Sequence, residues 1–135
     1  MPIILERIHR LPNNEDDDID QPYKTPKILK DAGILFCLDY QGDMERMGAR
    51  NLPFTAGSTV NYGLSKEDAL ELITLNTAKI LGISKQTGSL ERGKDANLFV
   101  SKGDILDIAS HDVELIFLMG KQISLANHQN KLYQK

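Results

Sequence analysis

The chain has 135 residues, of which 41% are hydrophobic and 26% charged, and its formal net charge is −3. These values are ordinary for a soluble globular domain. This mildly negative charge argues against nucleic acid as a partner, because nucleic-acid-binding proteins have a clustered basic surface. No apolar run approaches the roughly 20 residues of a membrane-spanning helix, and the N-terminal one is too short for a signal peptide. The sequence therefore predicts neither a membrane nor a nucleic-acid partner, and it leaves the compartment open.

The first forty residues predict a strand, a helix and a second strand. Residues 2–8 are short and apolar enough for a strand, and residues 11–23 form an acidic loop. The acidic run in this loop lacks the spaced ligands and the glycine of an EF-hand, so a charged surface loop is favoured over a calcium site. Thr25 is the expected N-cap of a helix over residues 26–32, with a proline in its first turn. The apolar run 34–38 is typical of a strand in a covered parallel sheet.

The middle of the chain predicts short helices. One is opened by the segment R-N-L-P-F at residues 50–54 and ends at Gly63. Ser65 and Asp68 have the spacing of a capping-box-like helix start. Asn76 is the expected cap of a further short helix that ends at Gly82.

Beyond residue 97 the apolar pattern changes to that of strands. Residues 98–100, 113–119 and 122–125 are predicted strands, and Gly120 with Lys121 is the predicted hairpin turn between the last two. The tail, residues 127–135, is mostly polar.

Two consecutive segments carry a family resemblance: T-L-N-T-A-K-I-L-G-I at residues 74–83 and G-S-L-E-R-G-K-D-A-N-L-F-V at residues 88–100. They closely resemble the C-terminal signature of the amidohydrolase superfamily, especially its imidazolonepropionase-like and prolidase-like members. The resemblance implies an α/β fold in which residues 1–82 are the C-terminal part of a metal-dependent (β/α)8 barrel, comprising the last βαβ unit and the closing helices. Residues 83–126 would be strands of a small composite β-sandwich, and residues 127–135 a polar tail.

A complete (β/α)8 barrel takes roughly 250 residues, so this chain cannot hold one. We expect either a fragment of a larger enzyme or a fold that has been cut down. In such barrels the active-site groups lie at the C-terminal ends of the strands. Here those ends carry His9 and Arg10 after the first predicted strand, and Asp39 and Tyr40 after the second.

Asp39 is the candidate catalytic and metal-binding residue that the resemblance implies. In the family, an aspartate at the end of strand eight binds metal and handles the proton of the attacking water. The family more often has a small hydroxyl residue before this aspartate, where this chain has Leu38. Asp43 in the following loop is a second candidate. The alternative for both carboxylates is that they only cap the loop, as aspartate often does. His9 is predicted to be a surface or hydrogen-bonded histidine, and Cys37 an inert buried thiol.

The resemblance implies hydrolysis of a C–N bond, in a cyclic amide or a related small molecule, with a divalent metal such as zinc in the complete enzyme. The family's His-x-His pair and other histidine ligands are absent from this sequence, and one carboxylate cannot hold a metal that needs about three protein ligands. We therefore expect no metal and no activity in this chain alone. Its partner would be the missing N-terminal barrel portion.

A non-catalytic packing or oligomerisation module, which self-associates through unpaired strand edges, is the alternative. In a further possibility the strands pair into a different, smaller sheet.

Overall fold

The computed structural model describes residues 1–6, 8–40, 48–126 and 132–133. Among the helices in these ranges, none combines the length and the apolar character needed to cross a membrane. The strands are β1 (Ile3–Glu6), β2 (Phe36–Asp39), β3 (Leu98–Ser101), β4 (Val113–Leu118) and β5 (Lys121–Ile123). The helices are α1 (Gln21–Asp31), α2 (Leu52–Val60), α3 (Lys66–Ile73) and α4 (Leu75–Ile80), and a 3-10 turn, Ala49–Asn51, precedes α2.

The first sheet consists of β1 and β2, which are parallel and run in register from Ile3 opposite Phe36 to Glu6 opposite Asp39. Successive side chains of a strand point to opposite faces, so the sheet has an apolar face and a mixed one. The apolar face packs on the core through Ile3, Leu5, Phe36 and Leu38. The other face carries Ile4, Glu6, Cys37 and Asp39.

Helix α1 connects the two parallel strands and begins earlier than the sequence predicted. It starts at Gln21, with Pro22 in its first turn, so the prediction that Thr25 caps it was wrong. Thr25 lies inside the helix and donates its hydroxyl to the carbonyl of Gln21 at 2.8 Å. Pro26 is an internal, fully buried residue of the helix. Its ring keeps the helical φ but leaves one backbone bond unmade, which is tolerated where packing compensates.

Helices α2, α3 and α4 follow one another with short connections. The predicted cap of α3 is confirmed, because the Ser65 Oγ accepts a hydrogen bond from the Asp68 amide at 3.0 Å. The predicted cap at Asn76 was wrong: α4 begins at Leu75, and the break before it falls at Thr74. The Thr74 hydroxyl donates to the Leu70 carbonyl at 2.7 Å, which ties the break to the end of α3.

The second sheet is antiparallel in the order β3–β4–β5. The turn between β4 and β5 is Met119 and Gly120, one residue earlier than predicted, and both have positive φ (51° and 75°). Positive φ at both central residues matches the twist of the strands in a two-residue hairpin. The Met119 amide donates to the Asn97 side chain at 2.8 Å, so the turn is held against the chain just before β3.

One hydrophobic core joins the first sheet to the helices and to the loop before β4. Its buried members are Ile8, Phe36, Leu38, Ala56, Leu64, Ala69, Leu72 and Leu106. The loop approaches α2 so closely that a Cβ at Gly57 would stand 2.1 Å from the Leu106 carbonyl oxygen. Residues 104–108 are thus packed directly on the helical part of the molecule.

Candidate active site

Asp39 is the last residue of β2, and its side chain is exposed. Its Oδ1 accepts a hydrogen bond from the Tyr40 amide at 2.7 Å. This hydrogen bond is the loop cap that the sequence offered as the alternative to a metal ligand. It uses only one of the two carboxylate oxygens. Because Asp39 is the last residue of a parallel strand, it lies at the carboxyl end of the sheet, where such folds commonly carry functional groups.

Glu6 is the register partner of Asp39 and is also exposed. Adjacent strands lie about 4.8 Å apart, and partners in a parallel ladder point to the same face. Two carboxylates therefore end neighbouring strands side by side. Glu6 has no local sequence signal that would place it beside Asp39, because strand register alone makes the two residues neighbours.

The second candidate carboxylate, Asp43, lies outside the described residues. Within the part of the chain that the structure describes, no three His, Cys, Asp or Glu side chains converge as they would around a metal ion. Asp39 fits as a single oxygen ligand. The described residues as a set do not fit a catalytic metal, which takes about three protein ligands.

His9 is engaged by neighbours rather than directed at Asp39. Its Nε2 lies 2.8 Å from the Ser58 Oγ, and the Ser58 hydroxyl itself donates to the Thr55 carbonyl at 2.7 Å. Because the Ser58 proton is used there, His9 Nε2 is the donor in the first bond. A nitrogen that carries this proton cannot bind a metal. This agrees with the prediction of a hydrogen-bonded histidine.

Cys37 lies in β2, on the sheet face that also carries Asp39, and it is buried, as the sequence predicted. Burial raises the pKa of its thiol, a hydrogen bond with Thr77 opposes that change, and the charge of Asp39 adds to it. A thiol with a raised pKa is a poor nucleophile, because the thiolate is the reactive form. Cys37 is therefore a packing residue.

A pocket of about 580 Å3 lies beyond the end of β1. Its walls are Arg10, Leu11, Ile19, Asp20, Tyr23 and Tyr62. Tyr23 is in the first turn of α1, which returns antiparallel to the strands, so this pocket and Asp39 belong to the same end of the sheet. Arg10 was predicted to follow a strand end, but no local sequence pattern indicates the pocket around it.

The described residues combine a parallel strand pair linked by a helix, with carboxylates at the strand ends, and a small antiparallel sheet that follows helices α2 to α4. The sequence profile of the amidohydrolase family matches residues 22–127, which is more than half of the chain. The chain therefore belongs to the amidohydrolase family, as its sequence motifs predicted.

The similar proteins described below match between 48% and 82% of this chain. It is 28% identical to the imidazolonepropionase of Flavobacterium psychrophilum over 113 aligned residues. The alignment covers 78% of this chain and 27% of that protein. It is 29% identical over 65 residues to adenine deaminase 3 of Rhizobium meliloti, covering 48% of this chain and 10% of that protein. The solved structure of an amidohydrolase from Thermotoga maritima superposes with a TM-score of 0.67 and 29% identity, over 82% of this chain and 29% of that one. This chain thus spans less than a third of the length of each.

Proposed function

We propose that this chain is the C-terminal segment of a metal-dependent amidohydrolase. In this proposal β1, α1 and β2 are the last βαβ unit of a (β/α)8 barrel, α2 to α4 close the barrel, and β3 to β5 belong to a composite β-sandwich. The short match to each relative supports the proposal, since a segment of this size corresponds to less than a third of those proteins.

The observation that carries the proposal is the position of Asp39. It is an exposed carboxylate at the carboxyl end of a parallel strand, in a chain of the amidohydrolase family. When a divalent metal such as zinc is bound in the complete enzyme, it supplies Lewis-acid chemistry and a water nucleophile near neutral pH. Asp39 is the residue of this chain that would hold it. The remaining ligands would come from the portion of the barrel outside this sequence.

The reaction that we propose for the complete enzyme is hydrolysis of a C–N bond in a small molecule. The matched relatives include an imidazolonepropionase and an adenine deaminase, and the family is named for amide hydrolysis. A cyclic amide or a related group is the substrate class that fits both the family and the imidazolonepropionase match. The chain alone would be inactive, because the described residues offer no set of three metal ligands.

Elemental analysis of the purified chain tests this proposal. The chain is equilibrated with a small excess of zinc, freed of unbound metal by gel filtration, and its zinc content is compared with that of the Asp39→Asn variant. We expect less than one zinc per chain and no difference between the two proteins. A stoichiometric zinc that Asp39→Asn removes would mean that this chain builds a complete site by itself.

A packing or oligomerisation module remains a second proposal, and the β3–β5 sheet favours it. Phe99, Ile116 and Ile123 are cross-strand partners on one face, and Phe99 keeps 49% of its surface exposed. Leu118 on the same face is 55% exposed. A row of exposed apolar side chains on a sheet is a common site of association.

The mass of the chain in solution, measured by sedimentation over a range of concentrations, distinguishes the two proposals. Self-association through this face would be reversed by Ile116→Lys, while Lys121→Gln, which changes a charge on the same face, would leave it intact. If the mass of the wild-type chain stays that of a monomer at all concentrations, the module proposal in its self-associating form is wrong.

A further inference from the structure

Asp39 carries its carboxylate on an exposed side chain, and an exposed aspartate ordinarily samples several rotamers. In this structure one of its oxygens is held, because Oδ1 accepts a hydrogen bond from the amide of the next residue, Tyr40, at 2.7 Å. Within the part of the chain that the structure describes, no group donates to Oδ2. The bond to Oδ1 can fix the rotamer of the carboxylate only if the Tyr40 amide is itself fixed.

The ring of Tyr40 supplies this restraint. The sheet does not, since the register of β1 and β2 ends at Asp39, one residue before the amide that holds the carboxylate. A Cβ built on Gly48 would stand 2.5 Å from Tyr40 Cε1 and 3.0 Å from its Oη, so one edge of the ring lies directly against the Gly48 backbone. Tyr40 is half-buried as a result.

Gly48 belongs to the helical side of the molecule. Its carbonyl accepts a hydrogen bond from the Asn51 amide at 2.8 Å, and the 3-10 turn Ala49–Asn51 leads directly into α2. Helix α2 is anchored in the core through Ala56. The Tyr40 ring therefore ties the end of β2 to a part of the fold whose position is set by core packing.

The backbone conformation of Gly48 does not require a glycine. Its φ of −87° and ψ of −12° are values that any residue adopts. What a larger residue would lack is room, because the Tyr40 ring occupies the space that a Cβ would need. The ring contact thus explains why this position has no side chain.

We propose that Tyr40 is the positioning residue of Asp39. Its ring, seated on Gly48, fixes the turn after β2; its amide holds Oδ1, and Oδ2 is left as the oxygen available to a metal. Carboxylates that bind metals are commonly held by hydrogen bonds in this way. The role toward a metal rests on the proposed function, whereas the restriction of the Asp39 side chain by the ring does not.

The size of the effect follows from the rotamers of Asp39. Its χ1 angle has three staggered wells, and the structure has one of them. If all three were equally populated, about one third of the molecules would hold Oδ2 where the structure has it. Metal binding that needs this position would then weaken about threefold.

NMR of the full chain, labelled with ¹⁵N and ¹³C, tests the restriction. The three-bond couplings from the backbone nitrogen and carbonyl carbon of Asp39 to its Cγ report the χ1 populations. We expect one dominant rotamer in the wild type and in Tyr40→Phe, which keeps the ring, and averaging over the wells in Tyr40→Ala. Tyr133→Ala removes a tyrosine that is 96% exposed and should leave the couplings unchanged.

Gly48→Ala tests the contact from its other side. The new methyl group would displace the end of the Tyr40 ring, which is a flexible side chain, so amide signals away from the turn should match the wild type while the Asp39 couplings average. In a Tyr40→Ala background the same substitution should have no further effect, because the ring through which it acts is gone.

The proposal is wrong if the wild-type couplings of Asp39 are already averaged, or if Tyr40→Ala or Gly48→Ala keeps one rotamer. It is also wrong if Tyr40→Phe averages as Tyr40→Ala does.

The role toward a metal is measured in a chimera in which this chain replaces the corresponding portion of the Thermotoga maritima amidohydrolase. Tyr40→Ala should weaken zinc binding about threefold, and Tyr40→Phe should not. If Asp39→Asn binds zinc as tightly as the parent chimera, the proposed function is wrong, while the NMR result on the side chain stands. If Asp39→Asn loses zinc and Tyr40→Ala binds it as the parent does, the proposed function holds and the positioning role is wrong.

Discussion

Glu6 and Asp39 stand directly opposite each other at the last paired position of the parallel strands β1 and β2. Their side chains leave the sheet on the same face, and the backbones of adjacent strands lie about 4.8 Å apart. Both side chains are exposed, so the carboxyl end of this strand pair presents two carboxyl groups at its surface.

The first prediction concerns the stability of Asp39 variants. Asp39→Asn keeps an oxygen for the Tyr40 amide and removes the charge of an exposed side chain. We expect the free energy of unfolding in urea to stay within about 0.5 kcal/mol of wild type. Asp39→Ala also removes the acceptor and should be less stable than Asp39→Asn. A loss of more than about 2 kcal/mol in Asp39→Asn would show that the carboxylate has a structural role.

A second prediction compares two leucines near the junction of α3 and α4. Leu72 is in the core and 2% exposed, whereas Leu81, after α4, is 62% exposed. Leu72→Ala leaves a cavity in the core and should lower the free energy of unfolding by about 2–5 kcal/mol. Leu81→Ala should cost less than about 1 kcal/mol, because most of that side chain is already in water. Equal losses in thermal denaturation would contradict the position of the core.

Gly57 provides a prediction in which two effects have opposite signs. In an ordinary helix, Gly→Ala stabilises by about 0.8–1.0 kcal/mol, because alanine is the better helix former. At Gly57 the new methyl group would stand 2.1 Å from the Leu106 carbonyl oxygen, which belongs to the backbone and cannot rotate away. We therefore expect Gly57→Ala to lower the free energy of unfolding. Overpacking typically costs about 1–3 kcal/mol, which exceeds the gain from the better helix propensity of alanine.

Chemical denaturation gives the sign of the Gly57→Ala effect. A stabilised variant would mean that the loop at residues 104–108 does not pack on α2 as the structure has it. Ser65→Ala, which removes the cap of the next helix, serves as a reference variant with an expected loss of about 1 kcal/mol.

The ion pair between Lys30 and Asp68 predicts a pH dependence. Lys30 donates to Asp68 at 2.6 Å, and this bond, followed by that of Ser65, lowers the pKa of the Asp68 carboxyl. Because the pKa of Asp68 is lower in the folded state than in the unfolded state, its ionised carboxylate stabilises the fold. This contribution is fully present at pH values above the ordinary carboxyl pKa, about 4. It is lost as the pH falls through the lowered pKa of the folded state. Both side chains are partly exposed, so the contribution should be about 0.5 kcal/mol.

Asp68→Asn should therefore be less stable than wild type at pH 6 and equal to it near pH 2, measured by urea denaturation at each pH. Asp16→Asn removes an exposed aspartate that has no hydrogen bond or ion pair to any residue that the structure describes, and it controls for net charge. If the difference between Asp68→Asn and wild type is the same at both pH values, the pair does not titrate as described.

Local sequence signals predicted local structure well. The Ser65 cap needs only a hydroxyl three residues before an amide, and the turn at Met119 and Gly120 needs only a glycine between two apolar runs, so both were found within one residue. The start of α1 was misplaced because two prolines, Pro22 and Pro26, each suit a first helical turn. The acidic residues before Gln21 gave that region the composition of a loop.

Of the candidate site, only the part with a local sequence signal was predicted. Asp39 ends an apolar run and could be found from the sequence and the family motif. Glu6 becomes its neighbour through strand register, and Tyr23 contacts Tyr62, which lies 39 residues later in the chain. Relationships of this kind arise from tertiary structure, so neither the carboxylate pair nor the aromatic pocket had a local signal.

In our proposal, Asp39 is one ligand of a metal site that the rest of a barrel completes. The divalent-metal content of a folded chimera tests this assignment. In this chimera, the portion of the Thermotoga maritima amidohydrolase that superposes on this chain is replaced by this chain. We predict that the chimera retains metal and that its Asp39→Asn variant loses at least one equivalent or binds it much more weakly. Equal metal content and affinity in the two chimeras would contradict it.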